Sequence, residues 1–494
     1  MYPHSTGYCN TIFMTALLKN GWIVVVKRDC PTCELVQPVL RKMMDFGTPL
    51  QVFSQDDPDF SDGIANVVDD RDLEQSFRLD IESVPTLIRR ENGREAERTV
   101  GWHRDEWRGL TRIAELGEEL PEFQPGCGSL SVEPGAVERL QARFGVVPFQ
   151  SRQVPLLETE DPIEVAYDRG WSDGLPVVPP TDERILRMLK GTSRSWDEVI
   201  GKMPPNLMDC TVEKVAINAV MAGCRPEYLP VVLGALEAAL VPQFTLHGLM
   251  ATTWFSTPVI IVNGPIAKRI GMNFGLNALG QGNRANATIG RAVNLVLRNV
   301  GGAVPGGIDR STLGAPSKYS FCFAEDESDE SWTSLAESRG VSRGQSAVTL
   351  FQGEGVQGFA DQRSRRAEEL ARSLALGLQA VAHPKIAQNA NALLVLSPEH
   401  YAIFQESGWG RAEIHEHLMD ALTRPGHELV QGAQGVAEGI DPSRANELVP
   451  KFWPQGLLIV RAGGPAGLFS AICGGWVAGR DPDELHPITR PISE

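Results

Sequence analysis

The sequence predicts an α/β protein built as a small redox module followed by a large α/β region. Three observations predict it. The motif Cys30-Pro31-Thr32-Cys33 stands between an apolar run and a helix-patterned one. Further on, apolar strand-like runs alternate with helical ones, most clearly at 258–263, 392–397 and 457–462. Between the two lies a stretch punctuated by Pro121, Pro125, Pro134, Pro148 and Pro155. The expected division is a redox domain at 1–118, a linker at 119–160 holding one helix at 136–144, and a large region at 161–494. A break near 362–372 would divide that region into two lobes around a cleft.

The elements of the first part follow in order. Residues 11–18 read as a short helix and 22–27 as the first strand. A helix at 34–44, a second strand near 50–53 and an acidic loop come next. Residues 73–79 are helix-patterned. Asn92-Gly93 marks a hairpin turn, with its partner strand at 98–102. An amphipathic helix at 103–116 closes the unit. Cys30 ends a strand and opens a helix, where unpaired backbone N–H groups favour a thiolate. Cys33, one turn on, can close a disulfide. Lys27 and Arg28 should lower the Cys30 pKa and Asp29 should raise it, and the sequence leaves that balance open.

Whole-chain quantities bound the function. With 494 residues, two or three domains are expected. A formal charge of −16 argues against nucleic acid and anionic membrane surfaces as partners. No apolar run reaches transmembrane length. Eight cysteines are too few for a stapled secreted scaffold, and no secretory leader is read, so a reducing cytoplasm is the expected compartment.

In the large region the densest stretch is 263–291, rich in glycine and asparagine. Asn263, Asn273, Asn283 and Asn286 offer donors and acceptors, and Arg284 and Arg291 suit a carboxylate or phosphate. A helix at 288–298 would point its N-terminus at this loop. A small-molecule pocket with an anion anchor is one reading, and a turn-rich structural loop is the other. Cys210 lies at the start of a predicted helix, 213–224, capped by Asp209 or Thr211, with Lys214 one turn on. That places Cys210 first among candidate nucleophiles, whereas Cys224 and Cys322 read as core. Gly463 and Gly464 follow a strand and read as a ligand-facing turn before a helix-like run ending at Cys473, the second candidate thiol. His400, beside Glu399 at a strand's carboxyl end, and His247 are candidate catalytic histidines, with a hydrogen-bonded structural role as the competing reading. His383 reads as a helix start. Asp173-Gly174-Leu175-Pro176 reads as scaffold. No His/Cys/Asp spacing commits to a metal. No cofactor is expected beyond a redox-active Cys30–Cys33 disulfide.

The first 118 residues resemble the thioredoxin/glutaredoxin superfamily through Cys30-Pro31-Thr32-Cys33 and, some fifty residues later, Val84-Pro85-Thr86. The resemblance implies a cis Pro85 packed beside the two sulfurs. It also implies that the Val84 backbone binds a thiol substrate. The large region, through Gly174-Leu-Pro-Val-Val-Pro-Pro-Thr181, Cys210-Thr-Val-Glu-Lys214, Asn218-Ala-Val-Met-Ala-Gly-Cys224, Asn263-Gly-Pro265 and Gly282-Asn-Arg-Ala-Asn-Ala-Thr288, resembles a little-characterised bacterial family. That family is associated with thioredoxin-like modules and small UGSC-type (seleno)proteins. The family itself supplies no reaction; the partner type that the resemblance brings with it suggests thiol- or selenol-dependent cleavage of a carbon–heteroatom bond, although this chain has no Gly-Ser-Cys motif of that kind and its nearest echo is Cys127-Gly128-Ser129.

The expected function is a thiol-dependent oxidoreductase, or a reductive bond-cleaving enzyme, acting on a small anionic substrate. The Cys30/Cys33 couple would regenerate a thiol of the large region. The alternatives are a lyase or transferase with a regulatory redox domain, and a thiol-dependent chaperone or assembly factor. A thiol or selenol partner protein and a homo-oligomer stay open.

Overall fold

The computed structural model describes residues 17–60, 63–65, 67–388, 390–476 and 487–493. The helix expected at 11–18 falls almost wholly outside them. The chain forms an α/β structure of two compact units. The first holds residues up to 148 together with 182–187, and the second holds 149–181 and 188 onward.

The first unit is built on a five-stranded sheet of order β3-β2-β1-β5-β6. Its strands are β1 (Gly21–Val26), β2 (Leu50–Ser54), β3 (Val67–Asp69), β5 (Thr86–Glu91) and β6 (Arg94–Val100), with β4 (Ser83–Val84) leading into β5. β1 runs parallel to β2 and antiparallel to β5. Its run Ile23–Val26 is fully buried, which is why so continuous an apolar sequence occurs there. The helix expected at 34–44 is two helices, α1 (Pro31–Leu35) and α2 (Gln37–Met44), broken at Val36. Pro38 has no N–H to continue the first helix. α3 (Glu74–Arg78) and α4 (Arg104–Thr111) follow. Asn92 and Gly93 both take positive φ in the β5–β6 turn, as a tight hairpin requires.

Residues 119–148 belong to this unit and are not a free linker. β7 (Trp102–His103) pairs with β8 (Phe123–Gln124), and β4 pairs with β9 (Cys127–Gly128). α5 (Ala136–Phe144) has the bounds expected of it and packs Ala136 and Leu140 against Leu73.

In the second unit, α6 (Pro162–Asp168) and the hairpin β10 (Val199–Met203)–β11 (Met208–Thr211) precede a helical layer, whereas α7 (Asp182–Leu189) is mostly formed by the residues 182–187 that group with the first unit. That layer contains α8 (Val212–Ala222), α9 (Leu229–Ala239) and α10 (Leu246–Ala251). The sheet strands are β12 (Thr257–Asn263), β13 (Cys322–Ala324), β14 (Ala347–Ala360), β15 (Ala390–Leu396), β18 (Phe452–Arg461), β19 (Phe469–Gly475) and β20 (Ile488–Pro491). Among them lie α11 (Pro265–Arg269), α12 (Arg284–Asn299), α13 (Leu335–Ser338), α14 (Ala367–Gln379), α15 (Pro398–Glu406) and α16 (Arg411–Leu422). A small ribbon of β16 (Thr423–Pro425) and β17 (Leu448–Pro450) flanks α17 (Gly426–Leu429).

The sheet order is β13-β12-β14-β19-β15-β18, with β20 also on β14. Only β12–β13 and β15–β18 are parallel pairs. Val259, Phe323, Phe351, Val395, Val460 and Cys473, from six strands, share one core, so the sheet curls on itself. The Asp326 N–H donates to Arg461 O at 2.7 Å, joining the segment after β13 to the end of β18. The opposite faces of β15 and β18 pack on α14, α15 and α16. One sheet therefore runs through strands on both sides of 362–372, and the break expected there does not divide it. The run expected to be helical up to Cys473 is strand β19, paired on both sides by β14 and β15. His383 starts no helix.

Candidate functional site

The first unit brings three thiols together. α1 begins at Pro31, so Cys30 is its N-cap and its sulfur accepts the Cys33 N–H at 3.3 Å. As a thiol, Cys30 donates to Val84 O at 3.5 Å. The Val84–Pro85 bond is cis. Val84 pairs in register with Cys127, whose thiol neighbours that of Cys30 and helps lower its pKa. Cys30 and Cys33 are 1 % and 0 % exposed, whereas Cys127 is partly exposed.

These contacts settle the acidity of Cys30. The Cys33 thiol bonding its sulfur is the largest influence, and the Cys127 thiol with the N–H groups of Cys33 and Thr32 adds to it against the cost of burial. The result is a pKa lowered to about 5 from an ordinary 9.0. The neighbouring charges that the sequence singled out are not its main determinants. Lys27 Nζ donates to Gly128 O at 2.9 Å, and Arg28 pairs with Asp57 at 2.6 Å. Burial and then the Cys30 thiolate push Cys33 far up, and the same two causes raise Cys127. Because the folded value of Cys30 lies below the unfolded one, its thiolate stabilises the reduced fold fully above about pH 9, and that contribution is lost as pH falls through about 5.

Sequence reasoning noted Cys127 only as an echo of a Gly-Ser-Cys motif and did not place it beside Cys30. The readable signal was Gly126-Cys127-Gly128 directly after Pro125. A Cβ on Gly126 would lie 2.9 Å from Val84 O and 3.3 Å from Gly101 Cα, so only glycine lets this segment approach the Cys30 face.

The candidates in the second unit are placed differently. Cys210 precedes α8, and Thr211 caps that helix by accepting the Lys214 N–H at 3.2 Å. Cys210 is nonetheless fully buried, and desolvation pushes it up to about 12. Lys214 Nζ donates to Asp209 O at 2.6 Å. Cys473 is buried in β19, donates to Glu354 O at 3.4 Å, and is likewise pushed up to about 12 by burial. Cys224 bonds Thr288 O at 3.3 Å and Cys322 lies in buried β13, both raised by burial. A buried thiol of that acidity is a poor nucleophile, so neither Cys210 nor Cys473 has the setting expected of a catalytic thiol. Cys9 lies outside the described residues.

The glycine- and asparagine-rich stretch is largely self-satisfied. Asn283 caps α12, which starts at Arg284 rather than 288. The Asn286 amide bonds the Asn273 backbone on both sides, at 3.0 and 2.8 Å, and Asn273 bonds Leu276 O and Gly275 N. Asn263 donates to Glu325 and Glu327. Arg291 forms a two-pronged pair with Asp173 at 2.8 Å and also bonds Leu175 O and Pro176 O. Arg284 bonds Gly223 O. The two arginines expected to hold an anion thus tie α12 to the segments at 173–176 and 223. The Gly463 N–H bonds Phe274 O at 2.8 Å, and a Cβ on Gly464 would strike Leu276 at 2.0 Å, so this turn closes on its own neighbour. His400 is buried, between Ser470 Oγ at 2.7 Å and Asp361 O at 3.1 Å, in a structural position.

Two polar features of this unit were not foreseen. Glu325 is buried and accepts from Asn263, Trp332, Leu335 and Arg411. A cavity of about 690 Å³ lies beyond it, lined by Arg339, Arg411, His415, Leu457 and Ile459. Among the described residues Arg339 donates to neutral oxygens, Thr489 Oγ1 at 2.7 Å and Pro487 O at 2.5 Å. Burial lowers its pKa.

Among the described residues no group of three or more His, Cys, Asp and Glu side chains is set to hold a metal ion, and no single helix is long and apolar enough to cross a membrane. Comparison of the chain with protein-family models and with curated proteins finds no match.

Proposed function

We propose that the first unit carries out thiol–disulfide exchange, with Cys30 as nucleophile, Cys33 as the second member of the couple, and the Val84–Pro85 backbone beside the reacting sulfur. The observation that carries this reading is the set of donors converging on Cys30 Sγ: two thiols and the N–H groups at the start of α1. They supply a thiolate at neutral pH without a neighbouring base. A thioredoxin-like ancestry is supported by the order of the central sheet and by the cis bond opposite the couple. The stabilised thiolate favours the dithiol, so the disulfide form should be a good oxidant.

The test is the pH dependence of exchange between the reduced protein and oxidised glutathione. The rate should be level from about pH 6 to 8 and fall through about 5, in step with the loss of one thiolate's ultraviolet absorbance. A rate that climbs steadily to pH 9 would mean that Cys30 is an ordinary thiol, and the reading would fail.

A second reading concerns the other unit. The half-buried guanidinium of Arg339, at the cavity beyond Glu325, favours binding of a small carboxylate or phosphate ester there rather than at 263–291. Such an anion should raise the melting temperature of the wild-type protein and leave Arg339→Met unmoved. Equal shifts in both proteins count against it.

A further inference from the structure

The segment after α4 is fastened across the Cys30 face by its backbone. Trp102 Nε1 holds Pro121 O at 2.7 Å, and Thr32 Oγ1, from the turn of α1 that carries the couple, holds Pro125 O at 2.6 Å. β8 pairs with β7, and β9 pairs with β4, where Val84 stands opposite Cys127. Lys27 Nζ fixes Gly128 O, and the Ser129 N–H bonds Glu82 O at 2.9 Å. Contacts on both sides of Cys127 therefore set its position. The carbonyl of its strand partner, Val84, is the one that receives the Cys30 thiol. Cys127 is also the partly exposed member of the three, while Cys33 lies sealed beneath Cys30.

From this arrangement we infer that Cys127 is a third exchange thiol, which competes with Cys33 to resolve mixed disulfides formed on Cys30. The inference rests on the exchange reading above and adds the residue that finishes the reaction. The Cys30 thiolate attacks one sulfur of a small-molecule disulfide. The S–S bond breaks, and one thiolate leaves and is protonated. The Cys127 thiol gives up its proton and attacks the Cys30 sulfur. The mixed disulfide breaks, the second small thiol departs carrying that proton, and a Cys30–Cys127 bond closes. Two protein thiols are oxidised and one external disulfide is reduced to two thiols. Cys127 suits the second step because the β4–β9 pairing holds it opposite Val84, whose carbonyl meets the Cys30 sulfur. Once Cys30 carries the adduct its thiolate no longer faces Cys127, so one of the two causes that raise the Cys127 thiol is removed before the attack.

The experiment uses the full chain with Cys33→Ser, reduced and then given oxidised glutathione, followed by peptide mapping under non-reducing conditions. With reduced glutathione held at about 0.1 mM, the Cys30–Cys127 disulfide should exceed the Cys30–glutathione adduct by roughly tenfold or more, because a neighbouring thiol has an effective concentration of about 1 mM or above. In the Cys33→Ser/Cys127→Ser protein the adduct should persist. A stable Cys30–glutathione adduct beside a free Cys127 thiol in the single variant overturns this inference and leaves the exchange reading standing. Failure of Cys30 to react at all overturns both. Should Cys33→Ser not fold, the same mapping on wild-type protein quenched at early times decides it. A Cys30–Cys127 peptide pair is expected there, and Cys30–Cys33 alone from the first time point counts against the inference.

Discussion

Cys30→Ser should lose exchange with oxidised glutathione by roughly 30-fold or more at pH 7, since the thiols that remain are at most a few per cent ionised there. Cys33 lies beneath the site with its pKa far above neutrality, and Cys127 is raised by burial and by the charge it faces. Serine matches the shape of the N-cap and still accepts the Cys33 N–H, so α1 should keep its start. The variant should therefore stay folded and lose both the reaction and the titration near pH 5. Removing the thiolate should also relieve its influence on Cys127, whose pKa should fall toward the ordinary range, and mass-resolved alkylation at several pH values reads that directly. Exchange at an undiminished rate would show that the reacting sulfur lies elsewhere.

The couple itself was legible because its chemistry is local. A strand, two cysteines and a helix start occupy adjacent residues, and Val84-Pro85 stands out by residue type alone. Several strands were legible for a similar reason: Ile23–Val26 and the buried run of β12 are apolar without interruption, whereas the long β14 (Ala347–Ala360), with its three glycines, was not read. Cys127 was not legible, because its place beside Cys30 comes from the β4–β9 pairing, which joins residues far apart in the chain. Local pattern also misled at β19, whose small and apolar residues suit a helix until two flanking strands claim both its edges. The asparagine-rich stretch shows the converse error. Asn283 is a cap, Asn273 and Asn286 brace each other, and Arg291 answers Asp173 from the other side of the unit. Residue types that bind ligands are the same types that cap helices and satisfy buried backbone, and composition alone does not separate the two uses.

Glu325→Ala should destabilise the second unit by about 3–5 kcal/mol, the range for removing one partner of a buried ion pair. The side chain is 2 % exposed, and its two oxygens are fully engaged. One accepts Trp332 Nε1 at 2.9 Å together with Arg411, and the other accepts Asn263 Nδ2 and the Leu335 N–H, each at 2.7 Å. Truncation leaves the Arg411 guanidinium, packed 4.5 Å above the Trp332 ring, buried and without its carboxylate. It strands three further donors, each of which carries a desolvation cost. Glu325→Gln would keep an acceptor on one side but turn an amide N–H₂ toward donors on the other, so it should recover only part of the loss. The contrast is Glu447→Ala, which breaks an exposed pair with Arg444 in the same unit and should cost about 0.2–1 kcal/mol. A chain of two units need not unfold in one step, so the readout should belong to the second unit alone. Alkylation of the buried thiols of Cys322 and Cys473 as a function of urea provides it, because those sulfurs open only when that core does. If Glu325→Ala moves that opening no further than Glu447→Ala does, the carboxylate is not the tie that holds α16 and the segment after β13 to the curled sheet.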